Sequence, residues 1–228
     1  MCTLISEALS NADFGAVALR RIMADNRARL SSSDIPLISF DASPWGGGGI
    51  LWISGRPSRY THFTFNEHSL KIIQATLGCC KGQTSFEYLT LFLVAVTFGD
   101  TMATTGAKIV GDNMGALTGA LTMSSTSPAM NAISREISWR RIVHGWQYLL
   151  EHLPAELNDE ADALSRLQAI PPRCVPLICA THGLFVVPPV QEDALWKARL
   201  DFSCMPARTS KRQFKRTERQ AGIQHRLR

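Results

Sequence analysis

Residues 84–98 constrain this chain more than any other stretch. Phe86, Leu89, Leu93 and Val96 fall on one helical stripe, and Leu91, Phe92, Val94 and Ala95 fill much of the remaining circumference. A helix that is apolar nearly all round has no face for water, so it must be buried, and a sheet is the natural cover. The preceding residues supply one. Residues 37–41, 50–54 and 60–65 read as strands. Pro44 with the glycines 46–49 reads as the first turn, and Gly55-Arg56-Pro57-Ser58 as the second. Three strands joined by short turns predict an antiparallel meander.

The rest of the chain alternates. Residues 107–111 read as a short buried strand, 114–123 and 127–145 as helices, 147–153 as a fifth strand and 159–167 as a last helix. Ser127 is placed to cap the second of these helices, with Pro128 at its first position. The order β-β-β-α-β-α-α-β-α predicts an α/β domain over residues 35–168. Its core is a mixed five-stranded sheet, three antiparallel strands followed by alternating α and β, with helices on its faces. Residues 1–34 read as a helical lead-in, with Ala16, Leu19, Ile22 and Met23 at helical spacing. Residues 169–205 read as a Pro-rich, loosely structured extension and 206–228 as a disordered basic tail.

Charge is unevenly spread. The net charge is +5, but residues 206–228 alone hold eight Lys or Arg against the single acid Glu218. The body is therefore slightly acidic and the tail cationic. Such a tail suits an anionic partner, most often nucleic acid, through Lys211, Arg212, Lys215 and Arg216; a solvated tail that maintains solubility is the alternative. The six cysteines lack a second Cys/His pair at zinc spacing and read as reduced thiols of an intracellular protein, nuclear or cytoplasmic. The longest apolar run, 91–98, is too short to span a bilayer, so no membrane partner is expected.

Four acids carry the chemistry. Asp41 ends the first strand, Glu87 lies in the first turn of the apolar helix, Asp112 ends the fourth strand and Asp162 opens the last helix. A lone carboxylate beside apolar elements is costly to ionise unless it is paired, exposed or bound to metal. Strand ends in α/β sheets lie at the rim where clefts form. Carboxylates converging there repel one another, and a hard divalent cation such as Mg²⁺ or Mn²⁺ relieves that repulsion. Two such ions about 4 Å apart can clamp the attacking water and the leaving oxygen of a phosphodiester. Each acid also has a structural alternative: a turn former for Asp41, a macrodipole partner for Glu87, an N-cap for Asp112 and a helix-start acid for Asp162. Asn113 suits either a substrate hydrogen bond or a helix cap. Trp139 and Trp146 with Arg135, Arg140 and Arg141 suit either a strand-tracking groove or packing on the sheet. The glycines 46–49 are followed by no Lys-Ser/Thr, which excludes a P-loop.

The combination resembles a known family. Asp41-Ala-Ser-Pro-Trp-Gly with Gly49-Ile-Leu-Trp52 resembles the opening strand pair of ribonuclease H domains, most closely those following reverse transcriptase in gypsy-like and tyrosine-recombinase-like retroelements. The stretch from His152-Leu-Pro-Ala155 through Asn158 to Ala161-Asp-Ala-Leu-Ser-Arg166 resembles that family's closing motif. The likeness covers about residues 35–168. It implies a metal-dependent endonuclease that cuts the RNA strand of RNA–DNA hybrids, with Asp41, Glu87, Asp112 and Asp162 as the catalytic set holding two Mg²⁺ or Mn²⁺ ions. It also implies a reverse transcriptase domain, absent from this chain, as a partner. Ala155 stands where the family usually has Gly, and residues 154–160 contain no His, as in shorter retroelement forms. Helical geometry sets Glu160 nearly opposite Asp162 but leaves Asp159 beside it. The motif resemblance decides for Asp162.

A different class remains open: a catalytically inactive ribonuclease-H-like nucleic-acid-binding module, or a decayed retroelement fragment. A third reading is an unrelated α/β domain with a nuclear-targeting tail. The tail generates a salt prediction. Removing residues 206–228 should weaken nucleic-acid binding most at low salt and flatten the log–log salt slope by about one unit for each phosphate that the tail neutralises. An unchanged slope in a salt-titrated binding assay would make the tail a solvated or targeting segment.

Overall fold

The computed structural model describes residues 35–197; the expected helical lead-in and basic tail lie outside them. Three antiparallel strands come first: β1 (Leu37–Ala42), β2 (Gly46–Ile53) and β3 (Arg56–Thr64). Then follow α1 (Glu67–Ile73), α2 (Gln83–Thr97), α3 (Gly99–Thr104), β4 (Ala107–Gly111), α4 (Met114–Thr122), α5 (Pro128–His144) and β5 (Tyr148–His152). A 3₁₀ turn at Ala155–Leu157 leads to α6 (Asp159–Ser165), then α7 (Leu177–His182) and β6 (Leu184–Phe185). The sheet order is β5-β4-β1-β2-β3-β6, with β4 parallel to both β1 and β5. This is the expected mixed α/β sheet with helices on its faces, enlarged from five strands to six. The sixth, β6, pairs in parallel with β3 through Arg59 and Tyr60. It comprises only two residues, too few for any alternation to show in the sequence.

Residues 86–95 of α2 are all buried, as their all-round apolar composition requires. They pack with Ile38, Phe40, Leu51 and the inner faces of α4 and α5 in the main core. Helix α5 starts on Ser127, whose hydroxyl accepts from the Met130 amide with Pro128 in the first turn, and stops at Gly145 in the left-handed region (φ 67°). A smaller core of Ile50, Leu164 and Cys179 lies apart from the main one and draws on β2, α6 and α7.

The glycines 46–49 are strand rather than turn. The turn itself is made by Ser43, whose amide donates to the Gly46 carbonyl and whose hydroxyl accepts from the Gly46 amide. A Cβ on Gly47 would lie 2.4 Å from Thr90 Oγ1, and one on Gly49 2.6 Å from a Val94 methyl, both on α2. A Cβ on Gly48 would lie 2.4 Å from Leu164 Cβ on α6. The absent side chains let two helices approach the sheet from opposite faces, and that close approach overrides the poor strand propensity of glycine.

Residues 169–197 hold more structure than a Pro-rich composition suggests, because their prolines punctuate it. Pro176 precedes α7, and Gly183 ends it. Further on, Gln191 accepts from the Asn66 amide and donates to the Thr64 carbonyl. Leu195 is buried in the main core, and its carbonyl accepts from the Arg140 guanidinium. Trp196 lies 5.3 Å from the Phe92 ring, and the Lys197 amide donates to Glu136. The four cysteines among the described residues are free thiols, and no helix among them is long and apolar enough to cross a membrane.

Gly48→Ala should destabilise the protein by about 1–3 kcal/mol, because the added methyl meets the Leu164 side chain and the α6 backbone. Urea denaturation checks this; an unchanged midpoint would mean that α6 is not seated on β2 as described.

Candidate metal centre

Backbone register brings the acids together. β1 and β4 run parallel with Ile38 opposite Ile109 and Ser39 opposite Val110. Continuing that register sets Asp41 level with Asp112, which directly follows β4. Both lie at the carboxyl rim of the parallel pair, where α/β sheets open into clefts. Helix α2 brings Glu87 to the same rim. Asp41 and Glu87 are buried, at 5% and 3% exposure, and Asp112 is half-buried. One oxygen from each of Asp41, Glu87 and Asp112 lies within 4.8 Å of the others. They line a cleft of about 620 Å³ together with Gln83, Asn113, Asp162 and Arg166.

The structural alternatives for three of these acids find other owners. The cap of α4 is Asn113, whose Oδ1 accepts from the Ala116 amide, so Asp112 is free of that role. Glu87 follows the first turn of α2, too far along to serve the macrodipole at the helix start. Asp41 lies within β1 opposite Gly48, and the neighbouring turn belongs to Ser43. Asp162 lines the same cleft but stands outside the three-acid cluster. Arg166 pairs with its Oδ1, and Arg173 with its Oδ2 at 2.7 Å. Asp159 also lines the cleft, and Glu160 does not.

Neighbours fix the buried carboxylates. Directly opposed residues of an antiparallel pair project to the same face, so Asp41 and Gly48 share the α6 side. With no side chain at Gly48, α6 comes close enough for Ser165 Oγ to donate to Asp41 Oδ2 at 2.7 Å. Ser43 Oγ donates in turn to the Ser165 carbonyl, and Asn158 Nδ2 to the Phe40 carbonyl beside Asp41. Gln83 Nε2 donates both to the Ala42 carbonyl and to Glu87 Oε1. Glu87 Oε2 is buried without a hydrogen-bond partner. Burial, then the charges of Asp162 and Asp112, push Asp41 up to about 7 against the opposing hydrogen bond from Ser165. Burial and the charge of Asp41 likewise raise Glu87 well above the usual carboxylate range.

These residues fit a divalent cation. All donors are hard oxygens, they converge from three elements, and one buried oxygen has no other partner. The sequence named Asp41, Glu87, Asp112 and Asp162, but not what holds them. Ser165, Asn158 and Arg166 stand inside the closing motif, and Gln83 lies one helical turn before Glu87; these were available signals. Arg173 lies in the Pro-rich extension and left none. Ala155 sits in the 3₁₀ turn without a positive φ, so glycine is not required there. Of the Trp/Arg set, Arg140 and Trp146 belong to packing: both are buried, and the Arg140 guanidinium lies 5.6–5.8 Å from the Phe92, Trp139 and Trp146 rings, while Arg135 and Arg141 are exposed. Lys211, Arg212, Lys215 and Arg216 lie outside the described residues.

No family model matches the sequence, and no curated protein matches it. Among solved structures, RNase H1 from the halophilic archaeon Halobacterium salinarum NRC-1 is similar at 19% identity and a TM-score of 0.43, over 57% of this chain and 92% of that one. LC11-RNase H1, solved in complex with an RNA/DNA hybrid, is similar at 16% identity and a TM-score of 0.44, with the same coverage of both chains. The prototype foamy virus protease-reverse transcriptase is similar at 12% identity and a TM-score of 0.35, over 64% of this chain and 19% of that one.

The raised carboxyls set a pH dependence. A folded-state value above the unfolded one stabilises the protein below the unfolded value and is lost as pH rises through the folded value. For Asp41 that window runs from about 4 to about 7. Metal-free protein should therefore melt higher at pH 5.5 than at pH 8 on account of this site. Added Mg²⁺ or Mn²⁺ should raise the melting temperature more at pH 8, where binding displaces few protons. Thermal melts at both pH values test this; a metal effect larger at pH 5.5 would contradict it.

Proposed function

We propose that this chain is a metal-dependent endonuclease that hydrolyses the RNA strand of RNA–DNA hybrids, from a retroelement or derived from one. The observation that carries the reading is the convergence of Asp41, Glu87 and Asp112 from a strand, a helix and a second strand end on one cleft. The motifs around Asp41 and Asp162 add the family resemblance.

In this reading Asp41, Glu87 and Asp112 hold the cations, with Asp162 as the fourth acid. Bound Mg²⁺ or Mn²⁺, two ions in the full set, would supply an activated water and charge neutralisation at the leaving oxygen. The protein's own groups prepare for this. Ser165 orients Asp41, and Gln83 orients Glu87 while tying α2 to the end of β1. Burial favours the neutral form of both acids in the metal-free protein, which limits their mutual repulsion until a cation arrives. Asn113 lines the cleft with its Oδ1 committed to the cap of α4, so its amide nitrogen is the group offered to a strand. Such a cleft would read a hybrid by shape and 2′-hydroxyls rather than by sequence. Lys211, Arg212, Lys215 and Arg216 would add phosphate contacts, and a reverse transcriptase domain outside this chain would be the natural partner. Intracellular function, nuclear or cytoplasmic, belongs to the same proposal.

Cleavage of a labelled hybrid with and without Mg²⁺ is the direct test. Asp41→Asn should retain the fold and lose cleavage, and Gln83→Ala should lower activity or metal affinity by about 10–100-fold. Near-wild-type cutting by the Asp41 variant would overturn the assignment and leave the inactive binding module.

A further inference from the structure

The fourth acid is not available in the way the other three are. Asp162 is about one-fifth exposed, and both of its oxygens are taken by guanidinium groups. Arg166 lies one turn further along, at the end of α6, and itself lines the cleft. Arg173 comes from the extension, and its amide donates to the Arg166 carbonyl at 3.1 Å, which fixes the loop over the helix end. Charge-assisted pairs at both oxygens neutralise a carboxylate more completely than a single pair would. A cation approaching Asp162 in this arrangement also meets two positive groups. Asp41, Glu87 and Asp112 are not clamped by guanidinium pairs of this kind, and their oxygens already lie within coordinating reach of one another.

We infer that Arg166 and Arg173 are positioning residues that hold Asp162 out of the metal set, so that the site takes one divalent cation first and a second only when this clamp opens. The inference rests on the metal-centre reading above. It gives the extension a part in the site, because Arg173 lies outside the stretch that resembles the nuclease motifs. Arg173 is half exposed, so its removal leaves no buried charge unpaired.

Manganese titration of the full chain, by calorimetry with free ion counted by electron paramagnetic resonance, separates the cases. Wild type should bind one ion well ahead of a second. Asp162→Asn should keep the first ion, because Asp41, Glu87 and Asp112 remain to hold it. Arg173→Ala and Arg173→Gln should each tighten the second ion by about three- to fivefold, the worth of one partly exposed ion pair, and Arg173→Lys should restore most of the wild-type pattern. If Arg173→Ala titrates as wild type, or Asp162→Asn loses the first ion, the clamp is wrong while the metal centre stands. If Asp41→Asn keeps the first ion, the metal-centre reading itself fails.

Discussion

Everything at this site follows from placing two carboxylates where little water reaches them. Asp41 and Glu87 are nearly inaccessible beside a helix whose residues 86–95 are all buried. Desolvation disfavours both charges, and each charge disfavours the other. The surroundings offset only part of this, through the Ser165 hydroxyl and the Arg166 charge at Asp41 and through Gln83 and the Ala42 backbone at Glu87. What remains is a site whose metal-free form is strained electrostatically and whose natural complement is a small, hard cation.

The backbone holds that strain in place. Glycines at 47, 48 and 49 remove the layer of side chains that normally separates a sheet from its helices, so α2 and α6 press on β2 from opposite faces. Because Asp41 stands opposite Gly48, the packing that seats α6 also delivers Ser165 to the carboxylate. Packing and chemistry share one residue position.

The acids were legible in the sequence because each stands at a place with a rule: a strand end, an early turn of a buried helix, a helix start. Separating Asp112 from the cap role needed coordinates, since Asn113 is an equally good capping residue and proved to be the one used. The glycines misled because turn propensity is visible in a sequence and the proximity of Thr90, Leu164 and Val94 is not. Helix α1 left too short a stripe to read, with seven residues of which only Ser69 and Ile73 are buried. Arg173 was illegible for a different reason: its role depends on where a Pro-rich loop returns to the helix end, and no local pattern encodes that.

Residues 191–197 alter what counts as one cooperative piece of this molecule. Gln191 bridges β3 and the start of α1, Leu195 fills the main core, and Arg140 and Glu136 on α5 anchor the backbone at 195 and 197. Local unfolding follows such links rather than sequence distance. Amide hydrogens on α5 and those near Trp196 are thus tied to a shared opening event. A protease that nicks this strap would loosen the helix bearing Glu87 through Phe92, on which Trp196 lies, at a distance from any acid in the cleft.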